Sequence, residues 1–308
     1  MFVVDRESYW KFVREQATAL GAIGFGPDTL LWHYTDGRGL LGIVSSGAIY
    51  STQVSCLNDS SEVRYGQLLF QRALTDVLAQ YGGSDPRVKN FLARYLKIME
   101  DTKAVGSHAP NPFFVACFSA DEDSMVNWRA YGGENSYAIA FKARNLFGPN
   151  TLAQVSYDKP LHEKLAVEVA QATLRFYEKG LTTIRPDEEA TWETEFLAAW
   201  DGIIAYLAPL VKDPGFSSER EFRVIHEFTT ADLPSMVILQ KDTMMTRHIP
   251  VTFPLGGEAW VHRLPIEKVM VGPCRHPAVT GISVDTLLRR MGYGTGRVVH
   301  TTRPLQKT

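Results

Sequence analysis

Cysteine is scarce in this sequence. Cys56, Cys117 and Cys274 are far apart, odd in number and without a C-x-x-C pair, which argues against a disulfide framework or a structural zinc site. Long apolar runs are missing too. None approaches the roughly 18 residues needed to cross a bilayer, and Asp5, Arg6 and Glu7 stand where a signal peptide would carry its apolar core. The expectation is a cytoplasmic protein with no membrane partner. Charge of one sign is also lacking. Lys and Arg total 32 against 34 Asp and Glu, so no whole-protein field draws the chain onto nucleic acid or an anionic surface; a local basic groove stays open.

Several catalytic signatures are absent as well. The eight histidines show no H-x-H or H-E-x-x-H spacing, and there is no G-x-S-x-G elbow or Walker A loop. Zinc hydrolase, serine hydrolase and P-loop chemistry are therefore poorly supported, and no metal is expected. No internal repeat, low-complexity tract or clear linker divides the 308 residues. The length suits one large domain or two modest ones.

What is present alternates between helical and strand patterns. Residues 5–21 read as an amphipathic helix capped by Asp5, followed by a break at Gly24-Phe25-Gly26-Pro27. Leu30 to Thr35 reads as a strand, Gly39 to Ser46 as a short helix stopped by Gly47, and Ile49 to Val54 as a second strand. Asn58-Asp59-Ser60 precedes a long helix with Phe70, Leu74, Val77 and Leu78 on one face, and another helix opens at Ser84-Asp85-Pro86. Strand patterns return at Phe113–Ser119, Ser136–Phe141 and Thr151–Tyr157. Two helices follow, marked by Leu161, Leu165 and Val169 and by Trp192, Phe196, Ala199 and Ile203. Strands are then expected at 221–228, 236–240, 248–253 and 268–271, with a helix at 284–290. This pattern gives an α+β fold: a central mixed or antiparallel sheet flanked by helices. It is taken as one domain over 1–308, with an N-terminal helix within 1–26 and a helical insertion at 160–212.

Four segments carry chemistry-bearing residues. Gly37-Arg38-Gly39-Leu40-Leu41-Gly42 satisfies G-x-G-x-x-G, with Asp59 about 20 residues on. The helix it opens is too short to pack along a parallel sheet, which favours a glycine-rich turn without a ligand. His33 and Thr35 share one side of their strand and suit a ligand at a sheet edge, or a histidine bonded locally in the core. In Ser217 to Arg223, alternation points Phe222, Val224, His226 and Phe228 inward and sets Glu219, Glu221 and Arg223 on the opposite face. That face is either functional or a solvated Glu–Arg pair worth little. Ser124 to Tyr131 brings Trp128, Arg129 and Tyr131 before Gly132-Gly133, as a stacking wall or as an aromatic corner under the sheet. Cys117 reads as a buried, inert thiol.

Taken in order, LWHYTDGRGLLGIVSSGAIYST, SCLNDSSEVRYG, CFSADEDSMVNWRAYGG, SYAIAF, FSSEREFRV and IEKVMVGP resemble the bacterial family called domain of unknown function 2971. More distantly, the order strand-His-x-Thr, short helix, Ser-Gly, then Ile49-Tyr50-Ser51-Thr52 is similar to the opening of the ADP-ribosyltransferase superfamily, and Glu219-x-Glu221 resembles the paired glutamates of some members. That resemblance implies a split sheet and an enzyme that takes NAD as substrate, releases nicotinamide and modifies a protein or nucleic-acid acceptor. The superfamily's habits add a toxin or phage-defence setting. Glu221 would stabilise the oxocarbenium-like transition state and Glu219 would orient the acceptor. His33 with Tyr34 and Thr35 would hold the adenosine side, and Tyr50 with Ser51 the nicotinamide pocket. Tyr65, Trp128, Tyr131 and Arg223 complete the candidate NAD-binding set. Two other readings stay open: a non-enzymatic sensor of nucleotides or NAD metabolites on the same scaffold, and a metal-dependent hydrolase or nuclease using Asp59, Glu62 and Glu221.

Overall fold

The computed structural model describes residues 6–20, 26–57, 60–83, 85–105, 112–132, 135–146, 151–241, 244–253 and 263–303. Its elements run α1 (Arg6–Ala19), β1 (Leu30–Asp36), α2 (Gly37–Ser46), β2 (Ile49–Gln53), α3 (Ser60–Gln80), α4 (Pro86–Val105), β3 (Phe113–Ser119), α5 (Met125–Tyr131) and β4 (Ser136–Lys142). They continue through β5 (Thr151–Gln154), α6 (Lys159–Leu181), α7 (Glu189–Leu207), β6 (Glu221–Glu227), β7 (Val237–Lys241), β8 (Met244–Val251), β9 (Lys268–Val271), α8 (Pro277–Arg290) and β10 (Val298–His300). The chain thus adopts the expected α+β class, with one large mixed sheet flanked by helices.

Packing divides the chain into two compact units. The first, residues 1–23, 54–113 and 155–216, is helical, so the helices expected as an insertion at 160–212 share a unit with α1, α3 and α4. Its core is aromatic. Phe91 stacks on Tyr177 with ring centroids 3.7 Å apart, Tyr177 stacks on Trp192 at 5.1 Å, and Phe196 meets all three rings. The edge-on pairs among them, Phe91–Phe196 and Tyr177–Phe196, contribute about 0.5–1.5 kcal/mol each beyond their burial. Asp158 caps α6 by accepting from the Leu161 amide, with Pro160 in the first turn, where its missing N–H costs nothing.

The second unit, residues 24–53, 114–154 and 217–308, holds the sheet. Strand order is β10-β9-β4-β1-β3-β2-β8-β7, and β6 pairs with both β3 and β5. β10 lies parallel to β9, while β1–β4, β2–β8, β7–β8 and β4–β9 are antiparallel. Side-chain alternation builds a core on each face. Leu31, Ile139 and Phe141 join the larger one with Leu40, Ile43 and Val44 of α2. Trp32, Tyr34, Ala138 and Ala140 join a smaller one beneath Trp128 of α5.

The glycine fingerprint at 37–42 has a packing explanation. Asp36 caps α2 by accepting from the Gly39 amide at 2.7 Å, and Gly47 ends the helix in the left-handed region at φ 66°. A β-carbon on Gly39 would sit 1.9 Å from the Thr35 Oγ1, so glycine is required there for close approach. β1 is also flanked by antiparallel neighbours on both sides, unlike the parallel first strand of a dinucleotide fold.

The two largest differences in extent from the sequence reading fall on β8 and α8. β8 begins at Met244 rather than His248, because it forms a hairpin with β7 from Lys241↔Met244 onward. α8 begins at Pro277, well before Val284, since proline suits a first turn.

Candidate functional site

The sheet opens between β1 and β3. β1 runs in continuous register with β4 over seven residues, but it meets β3 in one pair alone, Trp32↔Ser119. A concavity of about 330 Å³, open mouth included, lies at this splay. Trp32, His33, Tyr34, Cys117, Phe118 and Ser119 line it from the two strands, Asn127 and Tyr131 from α5, and Glu219 and Glu221 from the approach to β6.

His33 closes the splay. Its Nδ1 donates to the Cys117 carbonyl at 2.8 Å, since a carbonyl can only accept, and Nε2 is left as an acceptor. Burial holds the imidazole below the ordinary histidine range, against the pull of that carbonyl. It is neutral at physiological pH. Tyr34 donates from its hydroxyl to the Asp121 carbonyl at 2.7 Å and accepts from the Ser124 amide at 3.1 Å; burial pushes its phenol up. The Tyr131 phenol is also pushed up, first by desolvation of its hydroxyl and then by Cys117, Glu221 and Glu219, although the residue as a whole is 38% exposed, so it remains a hydroxyl.

The glutamates reach the cavity by an unusual backbone. Glu219 ends a 3₁₀ turn over Pro214–Glu219, and Glu221 begins β6. Between them Arg220 takes φ 47°, alone among the described non-glycine residues in having positive φ. The left-handed region costs an L-residue about 1–2 kcal/mol. The end of β3 holds this conformation. Ser119 Oγ donates to the Glu219 carbonyl at 2.6 Å, and the Ala120 amide donates to the Arg220 carbonyl at 3.0 Å.

Glu221 and Arg223 are buried, at 3% and 2% exposure. Arg223 donates from Nε to Oε1 at 2.8 Å and from the second guanidinium nitrogen to Oε2 at 2.9 Å. The solvated strand face allowed by the sequence is therefore corrected. β6 pairs on both edges and is buried on both faces over Glu221–Ile225, so this is an interior bidentate pair.

Of the sequence candidates, His33, Tyr34, Tyr131, Glu219 and Glu221 come together around one cavity, and Arg223 joins through Glu221. The others do not line it. Thr35 packs over Gly39. Tyr50 is 39% exposed on β2, 6.4 Å from the His248 ring. Ser51 is fully buried, its hydroxyl without a hydrogen-bond partner. Trp128 packs edge-on against Tyr34 at 4.7 Å and donates its indole N–H to Asp123 at 2.8 Å, which makes it an aromatic corner. Tyr65 belongs to the helical unit, where its hydroxyl bonds His162 at 3.0 Å. Asn58, Asp59 and the Glu62 side chain lie outside the described residues, as does the Asp5 cap. Among the described residues, no group of three or more His, Cys, Asp or Glu could hold a metal ion.

Sequence reasoning missed Asn127, Ser119 and the wall formed by Trp32 and Phe118. Cys117 is half-buried and lines the cavity, rather than lying deep in the core. Asn127 was legible only as one letter of the Ser124–Tyr131 segment; Ser124 caps α5 by accepting from its amide.

Residues 127–224 match the family described as Protein of unknown function (DUF2971). That stretch, about a third of the chain, contains Asn127, Tyr131, Glu219, Glu221 and Arg223. No curated protein and no solved structure is detectably similar to the chain. No helix among the described residues is long and apolar enough to cross a membrane.

Proposed function

We propose that the chain is an ADP-ribosyltransferase-like enzyme that cleaves the nicotinamide–ribose bond of NAD and passes the ADP-ribosyl group to a protein or nucleic-acid acceptor. The observation that supports this reading best is the meeting of Glu219, Glu221 and His33 at one cavity where β1 and β3 separate. Breaking that bond builds positive charge on a sugar, and a fixed carboxylate is its electrostatic partner. Arg223 fixes Glu221 in one orientation, which lowers the reorganisation needed during the reaction. Nicotinamide leaves as a neutral base, so no strong acid is needed beside it; His33 and Tyr131, both neutral at physiological pH, are compatible with that. In this reading the nicotinamide end enters the concavity and the remainder of NAD lies along its open mouth.

The test is nicotinamide release from NAD by wild type, Glu221→Gln and Glu219→Gln, with and without cell lysate, each variant being checked for folding by circular dichroism. Release by wild type and loss in both folded variants is the expected result. No release and no NAD binding by calorimetry refutes the proposal.

One observation favours a second reading, the non-enzymatic sensor. Both Glu221 oxygens are already engaged by Arg223, so the carboxylate has a structural role that requires no catalysis. A sensor would bind NAD or a fragment of it without turnover, and a folded Glu221→Gln would keep that binding.

A further inference from the structure

The C-terminal part of the sheet unit departs from the near-neutral balance of the chain. Residues 263–303 carry seven Lys and Arg against two Asp and Glu, whereas the whole chain carries 32 against 34. Much of that charge gathers where β9 starts and α8 ends. Arg263 donates to the Gly292 carbonyl, and the Gly292 amide donates to the Arg289 carbonyl at 3.0 Å. That sets Arg263 against the last turn of α8, which carries Arg289 and Arg290. Arg297 donates to the Ile266 carbonyl and to the Glu267 carbonyl at 3.3 Å, beside the exposed Lys268. Arg263 and Arg297 both lie near the Tyr293 hydroxyl, so these groups form one basic rim.

Structural roles explain where the groups sit but leave their charge intact. Arg289 and Arg290 complement the carbonyl end of α8, and Arg263 and Arg297 tie down loop carbonyls. A guanidinium bonded through one nitrogen keeps its full charge and its other donors. Arg289 pairs with Asp285 at 3.0 Å, and the segment's other acid, Glu267, sits 3.8 Å from Lys142. Among the described residues no carboxylate pairs with Arg263, Lys268, Arg290 or Arg297.

The rim is charged without being apolar. Leu264, Ile266 and Tyr293 are buried, and none of the large apolar side chains exposed among the described residues falls within 263–275 or 284–303. A protein partner finds no apolar anchor here, and a bilayer finds nothing to insert. A phosphate backbone needs only the cations. The rim is also close to the cavity. Trp32, in the cavity wall, pairs with Ala140, and Ala140 pairs with Lys268. The Lys268 backbone therefore stands two interstrand spacings, about 10 Å, from that of Trp32.

We propose that this rim binds the phosphate backbone of a nucleic acid and so presents an acceptor strand to the cavity. Calling the bound strand an acceptor rests on the transferase reading; the binding surface does not.

The probe is a fluorescein-labelled oligonucleotide of about 20 nucleotides, single-stranded or duplex, titrated by fluorescence polarisation into the full-length protein at about 50–200 mM salt. Four phosphate contacts make the affinity fall about fifty- to 150-fold over that range. Lys268→Glu and Arg290→Glu, at exposed positions, each weaken binding about tenfold at the low-salt end and lower the salt slope by about one. Lys159→Glu and Lys164→Glu make the same charge changes at exposed positions of α6 and leave binding unchanged. Thermal midpoints check folding, and either rim variant alone is enough for the comparison. Three results overturn the inference: no oligonucleotide binding at the low-salt end, equal weakening by the α6 variants, or equally tight and rim-dependent binding to vesicles of an anionic phospholipid. NAD turnover is scored separately. Rim-dependent oligonucleotide binding without turnover sinks the transferase reading and leaves the surface standing. Turnover onto a protein acceptor, with no oligonucleotide binding, does the reverse.

Discussion

Removing one member of the Glu221–Arg223 pair tests whether it is an interior bond. Arg223→Met keeps the length and apolar stem of the side chain but withdraws both donors, at 2.8 and 2.9 Å, from a carboxylate that is 3% exposed. Two charge-assisted hydrogen bonds at about 1.5–3 kcal/mol each agree with the roughly 3–5 kcal/mol lost when a buried ion pair is broken from one side. At a urea m-value of about 2 kcal/mol/M, the midpoint of the affected transition falls by about 1.5–2.5 M. The double variant Arg223→Met, Glu221→Met removes the stranded charge and recovers most or all of the loss, because well-packed apolar replacements of buried pairs are commonly neutral or stabilising. The assay is urea denaturation of the two single variants, the double variant and wild type, followed by tryptophan fluorescence and closed as a double-mutant cycle. A cost below about 1 kcal/mol for Arg223→Met, the range of an exposed pair, would falsify the reasoning. The experiment also sets a condition on the catalytic test, because Glu221→Gln replaces one charged acceptor with an amide and part of any lost activity must be separated from lost stability.

The glycine-rich turn separates packing from nucleotide binding. Gly39→Ala drives a β-carbon into Thr35 and disturbs the Asp36 cap, costing about 1–3 kcal/mol as overpacking does. Gly42→Ala meets nothing within 4 Å and stabilises α2 by about 0.5–1 kcal/mol; thermal unfolding distinguishes the two, and equal effects would contradict the packing account. His33 supplies a pH dependence. Burial places its folded value below the unfolded one, so its contribution to stability is complete above about pH 6.5 and is lost as pH falls through the folded value. The midpoint advantage of wild type over His33→Gln therefore narrows between pH 7.5 and 5, and a constant difference would place the imidazole in ordinary solvent.

Local chemistry explains why so much of the fold was legible. Asp36 and Gly47 bracket α2, and the strand read over Ser136–Phe141 alternates so that Ile139 and Phe141 lie in the larger core, with Tyr137 packed against it. Each depends on a few consecutive residues. The β7–β8 hairpin was only half visible because Met244 to Arg247 gain their strand character from cross-strand partners. The burial of Glu221 and Arg223 could not be read from alternation either. β6 has neighbours on both edges, and Phe222 and Val224 fill the larger core while the glutamate and arginine satisfy each other on the opposite side. Sequence periodicity describes one buried face well and two buried faces poorly. Tyr50, Ser51 and Tyr65 were grouped with the site by motif order alone, which does not report where a β-strand opens or which unit a helix joins.

Glu219 and Glu221 show how a correct grouping can have a different physical origin. Alternation along an extended strand would put both on one side with Arg223, and that was the basis for pairing them. In the structure only Glu221 and Arg223 belong to the strand. Glu219 ends the preceding 3₁₀ turn and reaches the same cavity because Arg220 turns left-handed between them. A regular strand start would remove the strain at Arg220 and would not need Ser119 and Ala120 to hold two carbonyls at the end of β3. Local strain retained at a point that delivers two carboxylates into a cavity is the pattern expected when geometry at that point is constrained by ligand chemistry rather than by stability alone. This departure lies at the opening between β1 and β3, while the neighbouring β1–β4 ladder is regular along its whole length.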